Sequence, residues 1–317
     1  MITMKLLKNV QVFIFSFCFI TCSIVTEKVF AVKNGCTQTS KSSVFRKDKN
    51  EKWLKFRVAS YNIRYAAAND EKIGNGWDIR KKPLSELIKS HDFDIVGTQE
   101  GNASQLSDLD TLLSTYSYVA HPYGGRDGNL HNCATFYKFS MFDVLDSGTF
   151  WYSETPDVPS IGWDATDQRI CNWIKFREKT TGKEFYFFNS HFYWRYVTAK
   201  ANSGTVLVNK IREIAGDSPV ICTGDYNSTD STTQIQKILT LLKDAYRVTK
   251  TAPVGPVETG FPGGVFEGKA VSRIDYIFIS SHFHVLDYKA LDDSYNQGRY
   301  PSDHFPVTSR VAIKIAE

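Results

Sequence analysis

The chain contains 317 residues, of which 42% are hydrophobic and 23% charged, with a formal net charge of +4 at pH 7. This length is enough for one large domain, and the charge is too close to neutral to give a strong electrostatic funnel for nucleic acid. No CxxC or HExxH spacing occurs, which excludes zinc sites of those kinds.

The first 31 residues have the pattern of a signal peptide. Lys5 and Lys8 precede an apolar run from Val10 to Val25, and Val29-Phe30-Ala31 follows as a cleavage sequence. The run is shorter than the ~20 apolar residues that a membrane-spanning helix needs. Cleavage after Ala31 is therefore favoured over a retained membrane anchor.

Removal of residues 1–31 leaves 35 basic and 33 acidic side chains, a net charge of +2. Lipoprotein processing before Cys22 is less favoured, because Thr21 is bulky for that step. No later segment is apolar enough to span a membrane. The expected product is an exported monomer, either periplasmic or extracellular.

Four cysteines remain in this mature chain: Cys36, Cys133, Cys171 and Cys222. They allow up to two disulfides in an exported protein. Cys171 and Cys222, however, lie within apolar runs, where a thiol usually behaves as a small buried hydrophobe. Mostly free, buried thiols are expected.

Residues 32–55 are polar and predict a loose leader, and residues 56–317 read as one domain of short strands alternating with helices. The β-rich runs are Phe56–Ile63, Asp94–Thr98, Ala134–Lys138, Phe142–Tyr152, Ile170–Arg177, Phe185–Asn189, Val220–Thr223, Arg273–Ile279, Phe283–Leu291 and Phe305–Ile315. Helical spacing of Leu and Ile occurs in Pro83–Ser90, Ala103–Leu113, Val206–Ala215 and Thr232–Leu242. Pro83 suits a first helical turn, and Ser231 suits an N-cap.

The strand patterns indicate an α/β (α+β) fold with two packed β-sheets flanked by helices. Asp94–Thr98 and Val220–Thr223 are short and continuously apolar, as in strands covered on both faces. Phe142–Tyr152 and Phe283–Leu291 resemble outer antiparallel strands. About ten strands with few helices favour two packed sheets over a doubly wound sheet. Gly124–Gly128 and Gly260–Gly268 are predicted to be flexible loops.

Polar side chains stand where the apolar runs end. They are Asn62, Gln99-Glu100, Asn189-Ser190-His191, Asp225-Tyr226-Asn227, Asp275 and Ser302-Asp303-His304. A carboxylate beside apolar strands is costly unless it is paired, hydrogen-bonded or bound to metal.

Each of these residues also has a structural explanation of its own. Asp225 and Asn227 could close a turn, and Glu100 could favour the start of the following helix. His191 alone would be a hydrogen-bonded core histidine. Asp275 is harder to explain singly, because a buried carboxylate needs a partner such as His304.

Taken in order, the set resembles the endonuclease/exonuclease/phosphatase superfamily, which has the deoxyribonuclease I-like fold, and in particular a bacterial secreted branch of it. The matching stretches cover residues 56–313: Ser60-Tyr61-Asn62-Ile63-Arg64, Gly97-Thr98-Gln99-Glu100, Asn189-Ser190-His191-Phe192, Gly224-Asp225-Tyr226-Asn227, Arg273-Ile274-Asp275-Tyr276-Ile277 and Ser302-Asp303-His304-Phe305-Pro306-Val307. Gly76-Trp77-Asp78-Ile79-Arg80 and Asp146-Ser147-Gly148-Thr149-Phe150-Trp151 resemble the bacterial secreted branch.

The resemblance implies a four-layered α/β sandwich with mixed and antiparallel sheets and the site at one end. It implies Glu100 as the main ligand of Mg²⁺ (or Mn²⁺), helped by Asn62 and Asp303. It further implies that Asp225 activates water, with Asn227 positioning it. His304, held by Asp275, and His191 would face the phosphate.

The chemistry of phosphoryl transfer independently favours this set of carboxylates and histidines. A hard cation bound by carboxylates and an imidazolium group both neutralise the negative charge that builds up on the phosphate oxygens. Candidate substrate contacts are Asn62, Arg169, Tyr193 and Trp194. Arginine at such a position is equally consistent with an ordinary surface residue, and the aromatic residues with packing.

The chain departs from the superfamily pattern at two places. His191 is followed by Phe192-Tyr193-Trp194, where many relatives have Phe-Asp-His. His131-Asn132-Cys133 stands where relatives often have an acidic residue. These changes leave open a one-metal site or a narrowed substrate range.

Three functions fit the sequence. The first is hydrolysis of a phosphate mono- or diester, with small, sugar- or lipid-linked phosphates favoured by the near-neutral charge. The second is a secreted deoxyribonuclease I-like endonuclease, for which nucleic acid would be the partner. The third is a non-catalytic binding protein on the same scaffold, which intact Glu100, Asp225 and His304 argue against.

Overall fold

The computed structural model describes residues 51–126 and 129–315. The predicted signal peptide and most of the polar leader lie outside these residues. The strands are β1 (Trp53–Asn62), β2 (Ile95–Gln99), β3 (Tyr116–Arg126), β4 (Asn129–Lys138), β5 (Phe142–Trp151), β6 (Ile170–Glu178), β7 (Glu184–His191), β8 (Val220–Asp225), β9 (Lys243–Asp244), β10 (Asp275–Ile279), β11 (Phe283–Ala290) and β12 (Val307–Lys314). The helices are α1 (Ala68–Lys72), α2 (Trp77–Ser90), α3 (Ala103–Leu112), α4 (Val197–Ala215), α5 (Thr233–Leu239) and α6 (Ala245–Val248).

The strands form two six-stranded sheets, ordered β11-β12-β1-β2-β4-β3 and β5-β6-β7-β8-β10-β9. Within each sheet one central pair is parallel, β1 with β2 and β7 with β8, and the other pairs are antiparallel. The predicted arrangement of two packed, mixed sheets flanked by helices is confirmed.

Three apolar clusters account for the layering. The cluster between the sheets contains Phe56, Ile174, Phe185 and Val311. A second cluster joins the first sheet to α2 and α3 through residues such as Leu84 and Leu109. A third joins the second sheet to α4 and α5 through residues such as Leu207 and Ile235. Burial on both faces of the central strands explains their continuously apolar sequences.

Several local predictions need correction. β1 begins at Trp53, inside the predicted leader, and Gly124-Gly125-Arg126 belongs to β3, which the sequence analysis did not predict. Pro83 lies in the interior of α2 rather than in its first turn, because the helix begins six residues earlier at Trp77. The N-cap of α5 is Thr232, not Ser231.

Free, buried thiols are confirmed for the cysteines within the described residues, namely Cys133, Cys171 and Cys222. Among the same residues, no helix is long and apolar enough to cross a membrane.

Polar side chains connect the two sheets beneath one end of the sandwich. Asn189 donates from Nδ2 to the carbonyls of Thr98 (2.9 Å) and Ala134 (3.0 Å), and its Oδ1 accepts from Nε2 of Gln99 at 2.7 Å. A Cβ on Gly97 would lie 2.7 Å from that Oδ1, so the close approach requires glycine. Two of the predicted strand-end residues, Asn189 and Gln99, therefore join the sheets.

Candidate active site

Six of the predicted strand-end side chains line one cavity of about 380 Å³: Glu100, His191, Asp225, Asn227, Asp303 and His304. The carboxyl ends of the parallel pairs β1/β2 and β7/β8 bring Asn62, Glu100, His191 and Asp225 together, because parallel strands end at the same sheet edge. The cavity is lined by Arg64, Tyr65, Glu100, His131, Arg169, His191, Trp194, Asp225, Asn227, Phe261, Gly263, Ile274, Asp303 and His304.

Glu100 follows β2 in a left-handed backbone conformation (φ 71°), which turns its side chain into the cavity. Oε1 accepts from Nδ2 of Asn62 at 3.1 Å, and Oε2 accepts from the Tyr65 backbone N–H at 3.3 Å. Burial alone would raise the pKa of Glu100, but the facing basic side chains outweigh it and lower the pKa. Glu100 is therefore ionised at neutral pH.

Asp225, the last residue of β8, is almost fully buried. Its Oδ1 accepts from the Asn227 backbone N–H at 2.8 Å, and its Oδ2 accepts from Nδ2 of Asn62 at 3.0 Å. Burial raises its pKa, but His304 and His191 outweigh burial and the net pKa is lowered. Asp225 is thus an ionised carboxylate facing two imidazoles.

His304 lies between two carboxylates. Its Nδ1 is 2.9 Å from Asp275 Oδ2, and its Nε2 is 3.8 Å from Asp225 Oδ2. Burial lowers the pKa of His304, but Asp275 and Asp225 raise it well above its usual range. His304 therefore presents a cation to the cavity, while Asp275 lies behind it and orients it.

His191 contacts a different set of groups. Its Nδ1 lies 2.5 Å from the Tyr123 hydroxyl, and its Nε2 lies 3.2 Å from Asn227 Nδ2 and 3.4 Å from Asp225 Oδ2. Arg169 Nη1 is within 3.2 Å of both ring nitrogens. If Tyr123 donates to Nδ1, the remaining His191 proton is on Nε2 and points toward Asp225.

The sequence matches the model of the Endonuclease/Exonuclease/phosphatase family over residues 59–304, a span that includes all of these site residues. The chain belongs to the endonuclease/exonuclease/phosphatase family. Its members hydrolyse phosphate ester bonds, so this protein is a hydrolase of that class.

Solved bacterial members of the family are similar over most of their length. A family protein from Bacteroides thetaiotaomicron is 37% identical, with a TM-score of 0.76 over 83% of this chain and 99% of that one. A mannosyl-6-phosphatase from the same species is also 37% identical, with a TM-score of 0.75 over 81% of this chain and 99% of that one.

An uncharacterised protein of Acanthamoeba polyphaga mimivirus is 31% identical over 164 residues, which make up 49% of this chain. The chain spans 60% of that protein's length.

The side chains in the cavity fit the divalent metal that this family uses. Ligand atoms of Glu100, His191 and Asp225 lie within 4.8 Å of one another. Asp303 accepts from the Gly264 N–H at 2.7 Å through Oδ2, whereas its buried Oδ1 has no hydrogen-bond partner. Carboxylate oxygens of this kind suit Mg²⁺ or Mn²⁺.

Asn62 is predicted both to bind metal and to contact substrate, and its position bears on both roles. Its Oδ1 accepts from the Arg64 backbone N–H at 3.0 Å, while its Nδ2 points at Glu100 and Asp225. In this orientation Asn62 holds the two carboxylates together, and its amide would have to rotate to offer oxygen to a metal. Both roles of Asn62 remain predictions.

The other predicted substrate contacts divide into two groups. Arg169 and Trp194 line the cavity, and Trp194 is 46% exposed at its mouth. Tyr193 is 1% exposed and is not among the lining residues; its ring packs 5.7 Å from the Arg169 guanidinium carbon. Tyr193 therefore supports Arg169 from behind, and a direct substrate contact does not follow from its position.

Tyr123 and His131 are among the residues at the site to which the sequence analysis assigned no role. Tyr123 is on the unpredicted strand β3. His131 was noted only as a departure from the family pattern; burial lowers its pKa to about 4, although Glu100 opposes this shift. His131 lies within β4, and the available signal in the sequence was a histidine just ahead of the apolar run Ala134–Lys138.

Arg80 supports the site from outside the cavity. The side chain is fully buried and donates to the carbonyls of Ile63, Arg64, Tyr65, Asn75 and Pro301, at 2.8–3.3 Å. Apart from that of Asn75, which lies between α1 and α2, these carbonyls are on the turn after β1 and on the segment leading to Asp303. Arg80 thereby joins the segments that carry the Glu100 and Asp303 contacts, which gives the Gly76–Arg80 motif a physical role.

Proposed function

We propose that this protein is an exported, divalent-metal-dependent phosphoesterase that releases phosphate from a small sugar phosphate. The observation that carries the proposal is the convergence of Asp225, His304 and Glu100, the proposed metal ligand, on one cavity. Hydrolysis of a phosphate ester needs these three elements: a group that orients water, a cation against the phosphate and a carboxylate anchor for a hard metal ion.

Each side chain has a step in the proposed in-line reaction. Asp225 orients the attacking water and accepts its proton. His304 neutralises negative charge on the phosphate oxygens, and Asn227 donates an amide hydrogen bond to the same group. His191 Nε2 lies 3.4 Å from Asp225 Oδ2 at the cavity wall, and we assign it the donation of a hydrogen bond to the phosphate or to the leaving oxygen.

Metal bound at Glu100 would supply Lewis-acid stabilisation of the phosphate, with Asp303 as a helper ligand. Mg²⁺ is proposed, with Mn²⁺ as the alternative, because the donor set is rich in carboxylate oxygen. Export rests on the signal-peptide pattern of residues 1–31.

Three observations support a sugar phosphate. A 37% identical relative with nearly complete coverage is a mannosyl-6-phosphatase. The cavity volume of about 380 Å³ is at the small end of ligand pockets. Trp194 at the mouth offers a flat aromatic face against which a sugar ring could pack.

An endonuclease remains the alternative. The two arginines that line the cavity, Arg64 and Arg169, are each paired with a carboxylate, and the net charge of the chain is small, which disfavours it. A binding protein without activity is disfavoured because the ionised carboxylates and the cationic histidine have the protonation states that hydrolysis requires.

The test measures release of inorganic phosphate from mannose 6-phosphate and from a phosphoinositide, and release of phosphocholine from sphingomyelin, by the metal-loaded protein, with plasmid nicking measured in parallel. The proposal expects turnover of mannose 6-phosphate that stops on chelation. Plasmid nicking without release from any small substrate would replace it with the nuclease.

A further inference from the structure

His131 is a buried imidazole with neither nitrogen satisfied. The side chain is 6% exposed, and neither Nδ1 nor Nε2 has a hydrogen-bond partner. Its ring packs on Tyr65 (centroids 4.7 Å apart, 33° between planes) and meets the edge of Tyr123 at 5.8 Å. A buried polar group without a partner costs free energy, and such groups often mark the place of an absent ligand.

The position of His131 is fixed by its neighbour in the chain. Asn132 donates twice to the carbonyl of Gly101, from its backbone N–H at 2.8 Å and from Nδ2 at 2.9 Å. Gly101 directly follows Glu100, so these bonds tie the start of β4 to the turn that carries the metal ligand. His131 is thereby held at the wall of the cavity.

Arg169 adds a second unsatisfied donor at the same wall. The guanidinium is 6% exposed; its Nη2 pairs with Asp167 at 3.1 Å and its Nη1 contacts His191, but its Nε has no partner. Both Arg169 and His131 line the cavity and are close enough to influence each other electrostatically. Arg169 Nε and an N–H of His131 are therefore two buried donors without an acceptor at this wall.

We propose that His131, together with Arg169, binds the terminal oxygens of a phosphate monoester and thereby selects monoesters over diesters. The substrate class in this proposal rests on the proposed function. A bound monoester has three non-bridging oxygens, one more than a diester. The additional oxygen would accept from an N–H of His131 and from Arg169 Nε, whereas the second ester group of a diester would leave both donors buried and unpaired, and such mismatches are strongly rejected.

The experiment compares the full chain with His131→Phe, which keeps the ring packing on Tyr65 and removes both nitrogens. Inorganic phosphate binding to the Mg²⁺-loaded protein is measured by calorimetry. Turnover is measured on mannose 6-phosphate and on its methyl phosphodiester, which share one sugar. Loss of one hydrogen bond to a charged group predicts about tenfold weaker phosphate binding and about tenfold lower kcat/KM for the monoester. Diester turnover is expected to stay within about twofold.

His131→Gln, which restores an N–H donor, is expected to recover part of the phosphate affinity. His121→Gln is the matched control, because His121 lies on the neighbouring strand β3 and its Nδ1 lies against the Pro122 carbonyl. Thermal unfolding is recorded for each variant. If His131→Phe does not fold, the phosphate-binding and turnover measurements are made on His131→Gln alone.

Unchanged phosphate affinity and an unchanged monoester-to-diester ratio in both His131 variants would overturn the proposal. Weaker Mg²⁺ binding with unchanged phosphate binding would also overturn it, and would make His131 a metal ligand. If the wild-type chain binds phosphate but does not hydrolyse mannose 6-phosphate, the proposed function fails while the phosphate measurement still tests the subsite.

Discussion

His304 Nδ1 lies 2.9 Å from Oδ2 of Asp275, and the same carboxylate oxygen accepts the Thr259 hydroxyl at 2.7 Å. Asp275 is completely buried and is not among the residues that line the cavity. The Asp275 carboxylate therefore favours the cationic form of His304 beside Asp225, although Asp275 itself does not line the cavity.

This relationship predicts the alkaline limb of the pH profile. The pKa of His304 in the folded protein is raised well above the ordinary histidine value of ~6.5. The positive charge of its imidazole is therefore fully present below ~6.5 and is lost as the pH rises through this raised pKa. Asp275→Asn removes the largest raising influence, and the alkaline limb of kcat/KM should move to lower pH. Asp287 is a carboxylate on β11 that pairs with Arg57, and Asp287→Asn should leave the alkaline limb at its wild-type pH. If the alkaline limb does not move in Asp275→Asn, the limb reports the titration of a group other than His304.

Metal binding should depend on Glu100. Glu100→Gln keeps the shape and the hydrogen bond from Asn62 but removes the charge, and Mn²⁺ affinity measured by calorimetry should fall by more than about tenfold. Glu178→Gln is the matched control, because Glu178 is a buried carboxylate on β6 that accepts from the Thr180 and Thr181 N–H groups, outside the cavity. Equal Mn²⁺ affinity in the two variants would remove Glu100 from the metal site.

Arg80 should contribute strongly to stability. Arg80→Met leaves several buried carbonyls without donors, which is expected to lower the free energy of unfolding by about 2 kcal/mol or more. Urea unfolding measures this change. Arg177→Met, which removes an exposed ion pair with Asp143, should cost less than about 1 kcal/mol. A small effect at Arg80 would mean that water or neighbouring groups replace its hydrogen bonds.

Trp194 should affect substrate affinity more than turnover. Loss of the aromatic face in Trp194→Ala is expected to raise the KM for mannose 6-phosphate by about tenfold, with kcat within about twofold. Trp53→Ala is the control, since Trp53 begins β1 at the end opposite Asn62 and packs on His284. Equal KM changes in both variants would exclude a specific contact at Trp194.

The sequence was most informative where burial imposes a pattern. The central strands β2 and β8 are continuously apolar and end in polar residues, so both their positions and the site at their ends could be predicted. Glu100, Asp225, Asp275 and His304 were found for this reason: an ionisable residue beside an apolar run stands out.

The rest depends on contacts that are distant in the chain. β3 contains Pro122, Gly124 and Gly125, residues that are uncommon in strands, so its sequence does not predict one. β3 is an edge strand, where a proline can be tolerated although it has no backbone N–H to donate to a neighbouring strand. The first turns of α2 lack the regular Leu and Ile spacing of its second half, and Arg80 within them binds carbonyls of other segments. Likewise, the contact of Tyr123 with His191 spans 68 residues, and the burial of Tyr193 behind Arg169 could be recognised only in three dimensions.

The most direct test of the account is phosphate release from mannose 6-phosphate by the Mg²⁺-loaded chain and by Asp225→Asn. This substitution keeps the size of the side chain and removes the carboxylate that orients water. The account predicts wild-type release that chelation abolishes and that Asp225→Asn lowers by about 10³-fold. Release that survives both chelation and Asp225→Asn would contradict it.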